Sequence, residues 1–253
     1  MSLSNYKLGL VSISFRALSV DEIMDLCEQN NLQYIEWGSD VHAPCRDYER
    51  LCEIFGLQEK YGLICSSYGT FFRLGETPME ELDDYIAAAK RLGTDVLRLW
   101  CGTKSRADMT DAECDALLLA CRQAAALAKE QGVVLCMECH RKTFTENPDD
   151  AVWLMQAVDS PHFRMYWQPF QWQNVEQNIE NAKKIAPYAG YIHVFNWKGS
   201  EKLPLGDAIG EWQSYLEAFP APRTLLLEFM PNGSVEELSR ESRALKTIVG
   251  ETA

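Results

Sequence analysis

Eight short apolar runs separated by amphipathic stretches are the feature that most restricts what this chain can fold into. The runs fall at residues 8–14, 32–37, 62–68, 95–100, 133–138, 163–168, 191–196 and 224–229. Helical periodicity fills the gaps, near 20–30, 47–60, 79–92, 111–130, 149–158, 174–187, 209–219 and 235–249. An apolar run too short for a helix, bounded by turn residues, reads as a strand buried on both faces, which is the state of a parallel sheet. Eight strand–helix units of roughly thirty residues each match a (β/α)8 TIM barrel, whose usual size is about 250 residues. The chain has 253 residues, and no proline- or serine-rich linker divides it, so 1–253 is read as a single barrel domain.

Local signals support the helix starts. The S/T-x-x-E capping pattern occurs at Ser19 and Glu22, Thr77 and Glu80 (with Pro78 between), Thr110 and Glu113, and Ser234 and Glu237. Gly62, Gly93 and Gly132 stand where helices should stop. An open doubly wound sheet would permit the same alternation. It would need a glycine-rich phosphate turn after an early strand, and no GxGxxG or Walker sequence occurs.

Composition excludes several classes of partner. A net charge of -13 argues against a nucleic acid and against anionic membranes, since both require a basic face. No run approaches the length of a membrane span, and the N-terminal stretch lacks the pattern of a signal peptide. There are nine cysteines, an odd number, and several lie inside apolar patterns, as reduced buried thiols do. Cys136 and Cys139 are separated by two residues and so face opposite ways on a strand, which argues against a zinc or redox pair. A cytoplasmic location is the expectation.

The strand ends carry the chemistry. The run GVVLCMECH (132–140) should finish in apolar side chains and instead finishes in Glu138 and His140, which share a face. YIHVFNW (191–197) carries His193, and TLLLEF (224–229) ends on Glu228. Glu36, Ser66 or Ser67, Arg98 and Gln168 occupy equivalent places. In a parallel barrel the C-terminal rim is where active sites are built, so these residues are expected to share one mouth. Glu138 and Glu228 across that mouth suit proton transfer at a carbon, and His193 with Gln168 completes an oxygen/nitrogen ligand set for a divalent cation. Trp37, Trp100, Trp167 and Trp197, at strand ends, could form apolar walls of the pocket or equally plug the top of the barrel. Glu36 and Arg98 would bond substrate hydroxyls or each other. Lys198 and Lys202 lie near the loop after the seventh strand, and His42, in a loop, is expected to face solvent.

The motifs IEWGSD (35–40), SSYGTFFRLG (66–75), LRLW (97–100), MECH (137–140), YWQP (166–169), HVFNW (193–197) and LLLEF (225–229) resemble those of the xylose isomerase-like TIM barrels, the sugar isomerase/epimerase superfamily. The resemblance runs the length of the chain. It implies a metal (Mn²⁺, Mg²⁺, Co²⁺ or Zn²⁺) held by Glu138, Gln168, His193 and Glu228, with the two glutamates as the acid/base pair. Gln168 stands where the epimerases have Asp, and Gln171 where they place a substrate-binding His. The resemblance thus implies a metal-assisted isomerase or epimerase that moves a proton through an enediolate on a small ketose, aldose or related polyhydroxy carbonyl compound. The substrate-binding set would be Glu36, Trp37, Ser67, Arg98, Trp100, His140, Gln171, Trp197 and Lys198. The alternatives are a dehydratase or lyase on the same site, and a non-catalytic sugar-binding barrel that has lost its metal through Gln168. Relatives often pair through barrel helices, so a homo-oligomer is left open. With four histidines in all, the chain lacks the ligands that the three-zinc nuclease branch requires.

Overall fold

A computed structural model describes residues 5–251. Eight parallel strands close into a barrel: β1 (Lys7–Val11), β2 (Tyr34–Gly38), β3 (Ile64–Leu74), β4 (Val96–Cys101), β5 (Val134–Glu138), β6 (Phe163–Trp167), β7 (Ala189–Val194) and β10 (Thr224–Leu227). Each strand pairs with its sequence neighbours, and β10 closes the ring on β1 through Lys7–Thr224 to Leu10–Leu227 pairing. The helices are α1 (Val20–Gln29), α2 (Tyr48–Tyr61), α3 (Leu82–Arg91), α4 (Asp111–Gln131), α5 (Pro148–Val158), α6 (Val175–Ile185), α7 (Ile209–Leu216) and α8 (Leu238–Ile248). A short antiparallel hairpin, β8 (Asn196–Lys198) with β9 (Glu201–Leu203), follows β7. The TIM-barrel reading of the sequence is therefore correct, and the hairpin is an addition that the pattern did not announce. None of the helices among the described residues is long and apolar enough to cross a membrane.

The alternation of side chains along each strand creates two apolar layers. Outward residues such as Ile35, Leu97, Leu135 and Leu225 join the continuous core under the helices. Inward residues of the lower barrel, including Val11, Val96, Cys136, Tyr166 and Leu226, form a second, smaller cluster that fills the interior. Above this plug stand the polar strand ends. The barrel interior is thus apolar below and polar at the strand ends above.

Helix termini follow the sequence in part. Ser19 and Thr110 make full capping boxes with Glu22 and Glu113. Gly62 and Gly132 end α2 and α4 in the left-handed conformation, at φ 64 and 68, which costs glycine little. Two expected boxes fail. The Thr77 hydroxyl accepts a bond from the Arg73 N–H, and a 3-10 turn (Met79–Glu81) precedes α3. Ser234 bonds the Glu236 carboxylate, and α8 begins only at Leu238. An unexpected box, Asn174 with Gln177, starts α6. Near the start of the chain the expected strand 8–14 ends at Val11, where a 3-10 turn (Ser12–Phe15) leads the chain over the rim.

Candidate active site

Five strands, β2, β3, β4, β5 and β7, each contribute one polar side chain to a single cluster: Glu36, Ser67, Arg98, Glu138 and His193. Arg98 on β4 is 2% exposed and joins two carboxylates: its Nε donates to Glu36 Oε1 at 2.9 Å, and its Nη1 donates to Glu138 Oε2 at 2.8 Å. Ser67 Oγ donates to the other Glu36 oxygen at 2.9 Å. The close packing of this pair needs Gly69, because a Cβ there would lie 2.5 Å from Glu36 Oε1 and 2.8 Å from Arg98 Nη2. Trp100 Nε1 donates a second bond to Glu138 Oε2, at 2.6 Å. The two donors use up Oε2 and leave Glu138 Oε1 turned toward His193.

His193 is wholly buried and is the hub. Its Nδ1 lies 3.1 Å from Gln168 Oε1, 3.6 Å from Glu228 Oε2 and 3.9 Å from Glu138 Oε1. Gln168 is oriented by its own amide, whose Nε2 donates to the Cys139 carbonyl at 2.8 Å and so points the oxygen at His193. His193 Nε2 has no hydrogen-bond partner, and Glu36 Oε2 sits 3.6 Å from it. Glu228 lies one residue past β10. Phe229 then turns at φ 53, a conformation unfavourable for a bulky residue, held by its N–H donating to Ser14 Oγ at 2.9 Å.

Burial alone would push all three carboxyls up, and the neighbours decide the outcome. For Glu36 the Arg98 charge, helped by His193, outweighs burial and holds the carboxyl well below the usual range. Glu138 is also lowered, because Arg98 and then His193 outweigh its burial. Glu228 goes the other way: burial, with the Glu138 charge added, pushes it up to about 7 against the pull of His193 and Arg98. His193 would be lowered by burial, but Glu228 and Glu36 raise it. Environments that split two carboxyls in this way mark acid/base sites in general.

The donor set fits a cation. One ligand atom each from Glu138, His193 and Glu228 lie within 4.8 Å of one another, and Gln168 Oε1 falls beside the same imidazole nitrogen. Ligands at about 2.0–2.2 Å from a common ion must themselves be spaced on this scale. With Nδ1 given to a cation, the imidazole proton would sit on the unpartnered Nε2 facing Glu36, the carboxylate–histidine pairing typical of metal ligands. The metal ligand set expected from the sequence is thus brought together, Gln168 included.

The structure divides the remaining expectations. Glu36, Ser67, Arg98 and Trp100 belong to the cluster as described. His140 lies on the rim against the Trp100 ring at 5.3 Å, and Gln171 and Trp197 line a cavity of about 380 Å³ beside Gln168. Trp37 does not face the mouth. It neighbours the inward Glu36 and must point outward, where its Nε1 donates to Gln58 of α2 at 2.7 Å. Trp167 likewise packs under α7 against Trp212 and Tyr215. Lys198 turns away from the centre, with its Nζ 3.7 Å from Glu211 of α7. His42 is buried rather than solvent-facing, with its ring nitrogens 3.1 Å from Ser12 Oγ and 3.2 Å from the Leu18 carbonyl. The sequence reading left Tyr166 out of the site. Its ring lies 4.5 Å from His193 and its hydroxyl 3.1 Å from Ser67 Oγ, and its shared strand face with Gln168 was the available signal.

Comparison with known proteins agrees with this architecture. A 3-dehydroshikimate dehydratase from Bacillus anthracis is 21% identical over 207 residues, 78% of this chain and 74% of that protein. The crystal structure of a probable 3-DHS dehydratase from the same organism superposes with a TM-score of 0.80 at 17% identity, covering 95% of this chain and 98% of that one. An L-ribulose 3-epimerase structure gives 0.73 at 15% identity over 96% and 94%. A xylose isomerase-like barrel from Mycobacterium smegmatis, solved in complex with magnesium, gives 0.68 at 15% identity over 97% of each chain. Residues 24–244 match the profile of the xylose isomerase-like TIM barrels, and the chain belongs to that family.

Proposed function

We propose that this chain is a lyase of the dehydratase type, removing water from a small polyhydroxylated β-hydroxy carbonyl compound, with Glu228 as the acid/base. The observation that carries this reading is the unequal bonding of the two carboxylates. Glu138 Oε2 is held by Arg98 and Trp100, whereas among the described residues the Glu228 side chain receives no hydrogen bond, its Oε2 lying 3.6 Å from His193 Nδ1. A carboxylate clamped by a guanidinium is a poor proton carrier, and one without donors is a better one. Elimination needs a single such group. Glu228 takes the proton from the carbon next to the carbonyl, the C–H electron pair becomes the new C=C bond, and the β C–O bond breaks. The proton on Glu228 then passes to the departing hydroxide, and water leaves. Glu138 stays ionised against Arg98 throughout.

A divalent cation held by Glu138, Gln168, His193 and Glu228 would supply, when bound, a Lewis acid that acidifies the C–H beside the carbonyl. A relative that acts as a dehydratase supports the reading. The second reading, a ketose isomerase or epimerase, is supported by Glu138 Oε1, which no donor among the described residues occupies and which lies 3.9 Å from His193. Inversion at carbon would require that oxygen to return the proton from the opposite face.

Incubation of Mn²⁺-loaded protein with 3-dehydroshikimate and, separately, with a ketose in D₂O separates the two by mass spectrometry. Loss of one water is expected, and Glu228→Gln should lower its rate by about 10²–10⁴-fold. Deuterium in a recovered isomer without water loss would establish the second reading in its place. Wild-type turnover by Glu228→Gln would remove both.

A further inference from the structure

We infer that the substrate carries an oxyanion, a carboxylate or a phosphate ester, that binds in the cavity beside Gln168 through Arg141, Lys142 and the Trp197 indole. The inference rests on the site reading above for the place where turnover occurs and adds the class of molecule turned over. The cavity, of about 380 Å³, adjoins the centre at two points: Gln168, whose oxygen meets His193, and Cys139, which follows Glu138. A cavity of that size accepts a small ring bearing one charged group.

Its lining is rich in donors and poor in acceptors. No carboxylate lines it, and the Gln168 oxygen is already engaged by His193. Arg141 stacks its guanidinium on the Trp172 ring at 4.0 Å, an arrangement that leaves the N–H edge open, and it makes no ion pair among the described residues. The Lys142 ammonium likewise makes no ion pair among the described residues, and its backbone N–H donates to the Glu146 carboxylate at 2.7 Å. Two adjacent free cations on a cavity free of acids stand out in a chain of net charge -13, because the surrounding negative charge would otherwise repel an anionic substrate.

A second observation points the same way. Trp197, which lines this cavity, holds its indole N–H buried with no acceptor. An orphaned buried donor has lost its bond to water without replacement, a loss that a ligand oxygen would make good. A neutral polyol would satisfy that N–H but would leave both cations unused. An oxyanion satisfies all three.

The test is calorimetric titration of the Mn²⁺-loaded protein with benzoate, with benzamide as its neutral isostere, and with inorganic phosphate. The wild type should bind at least one anion and prefer benzoate to benzamide. Arg141→Met and Lys142→Met, which keep the apolar stems, should each weaken anion binding about tenfold and leave benzamide unchanged. Trp197→Phe should weaken it less. Tighter binding of benzoate assigns a carboxylate substrate, and tighter binding of phosphate a phosphorylated one. Failure of both anions to bind, or binding indifferent to both cation variants, would overturn the inference. Glu228→Gln should keep wild-type anion affinity. Absence of dehydration with cation-dependent binding intact would therefore count against the proposed reaction alone.

Discussion

Arg98 is the residue on which the arrangement of charge depends. It is buried and holds two carboxylates that would otherwise face each other in the barrel mouth without compensation. Arg98→Met should lower stability by about 3–5 kcal/mol, because it leaves Glu36 and Glu138 buried without their cation. Arg98→Lys should recover little of this, since a single ammonium cannot reach both partners with the geometry of the guanidinium fork. Equilibrium urea unfolding measures both variants, and an unchanged midpoint for Arg98→Met would show that the pair is dispensable. The sequence allowed Glu36 and Arg98 to bond each other or a substrate. The structure shows the two bonded to each other and adds Glu138, which no count along one strand could reveal. Trp37 and Lys198 show the opposite error: both are at strand ends, yet one faces the helices and the other faces α7.

Among the elements, α4 shows how local chemistry reaches stability. Thr110 Oγ1 accepts from the Glu113 N–H, and the Glu113 carboxylate accepts from the Thr110 N–H at 2.8 Å. Thr110→Ala should cost about 1 kcal/mol, readable as a lower thermal midpoint. The Lys104 ammonium, followed by the Thr110 backbone and hydroxyl bonds, holds Glu113 down at about 2 instead of 4.5. A carboxyl lowered on folding stabilises above its ordinary value and loses that contribution as pH falls toward its folded one. The stability difference between wild type and Glu113→Gln should therefore shrink between pH 4.5 and 2 and be flat above. A difference constant across that window would show that the box does not hold the charge. Four S/T-x-x-E patterns were legible, and two form the box. Thr77 and Ser234 fail because nearby groups of the loop (the Arg73 N–H and the Glu236 carboxylate) claim their hydroxyls first. A four-residue pattern carries no information about that competition.

The whole molecule decides how the strand ends meet, and the cation is the test at this scale. Gln168 gives the ligand set its oxygen without a charge, and its amide N–H binds the Cys139 carbonyl. Gln168→Asp should destabilise the metal-free protein, because a carboxylate replaces that donor beside Glu138 and Glu228. It should also raise the thermal shift on adding Mn²⁺, by about 1.4 kcal/mol for each tenfold gain in affinity. Equal shifts for the two proteins would remove Gln168 from the ligand set. The sequence by itself determined the order of the eight barrel strands and eight helices, the capping boxes at Ser19 and Thr110 and the identity of the polar residues ending the strands. These follow from periodicity and neighbouring residues, which are local properties of a chain. Tertiary structure decided which of those residues touch. Arg98 reaches 62 residues back to Glu36 and 40 forward to Glu138, while Glu228 Oε2 comes to 3.6 Å from His193. Such distances are set by closure of the barrel and by the register of its strands, quantities that belong to no single segment.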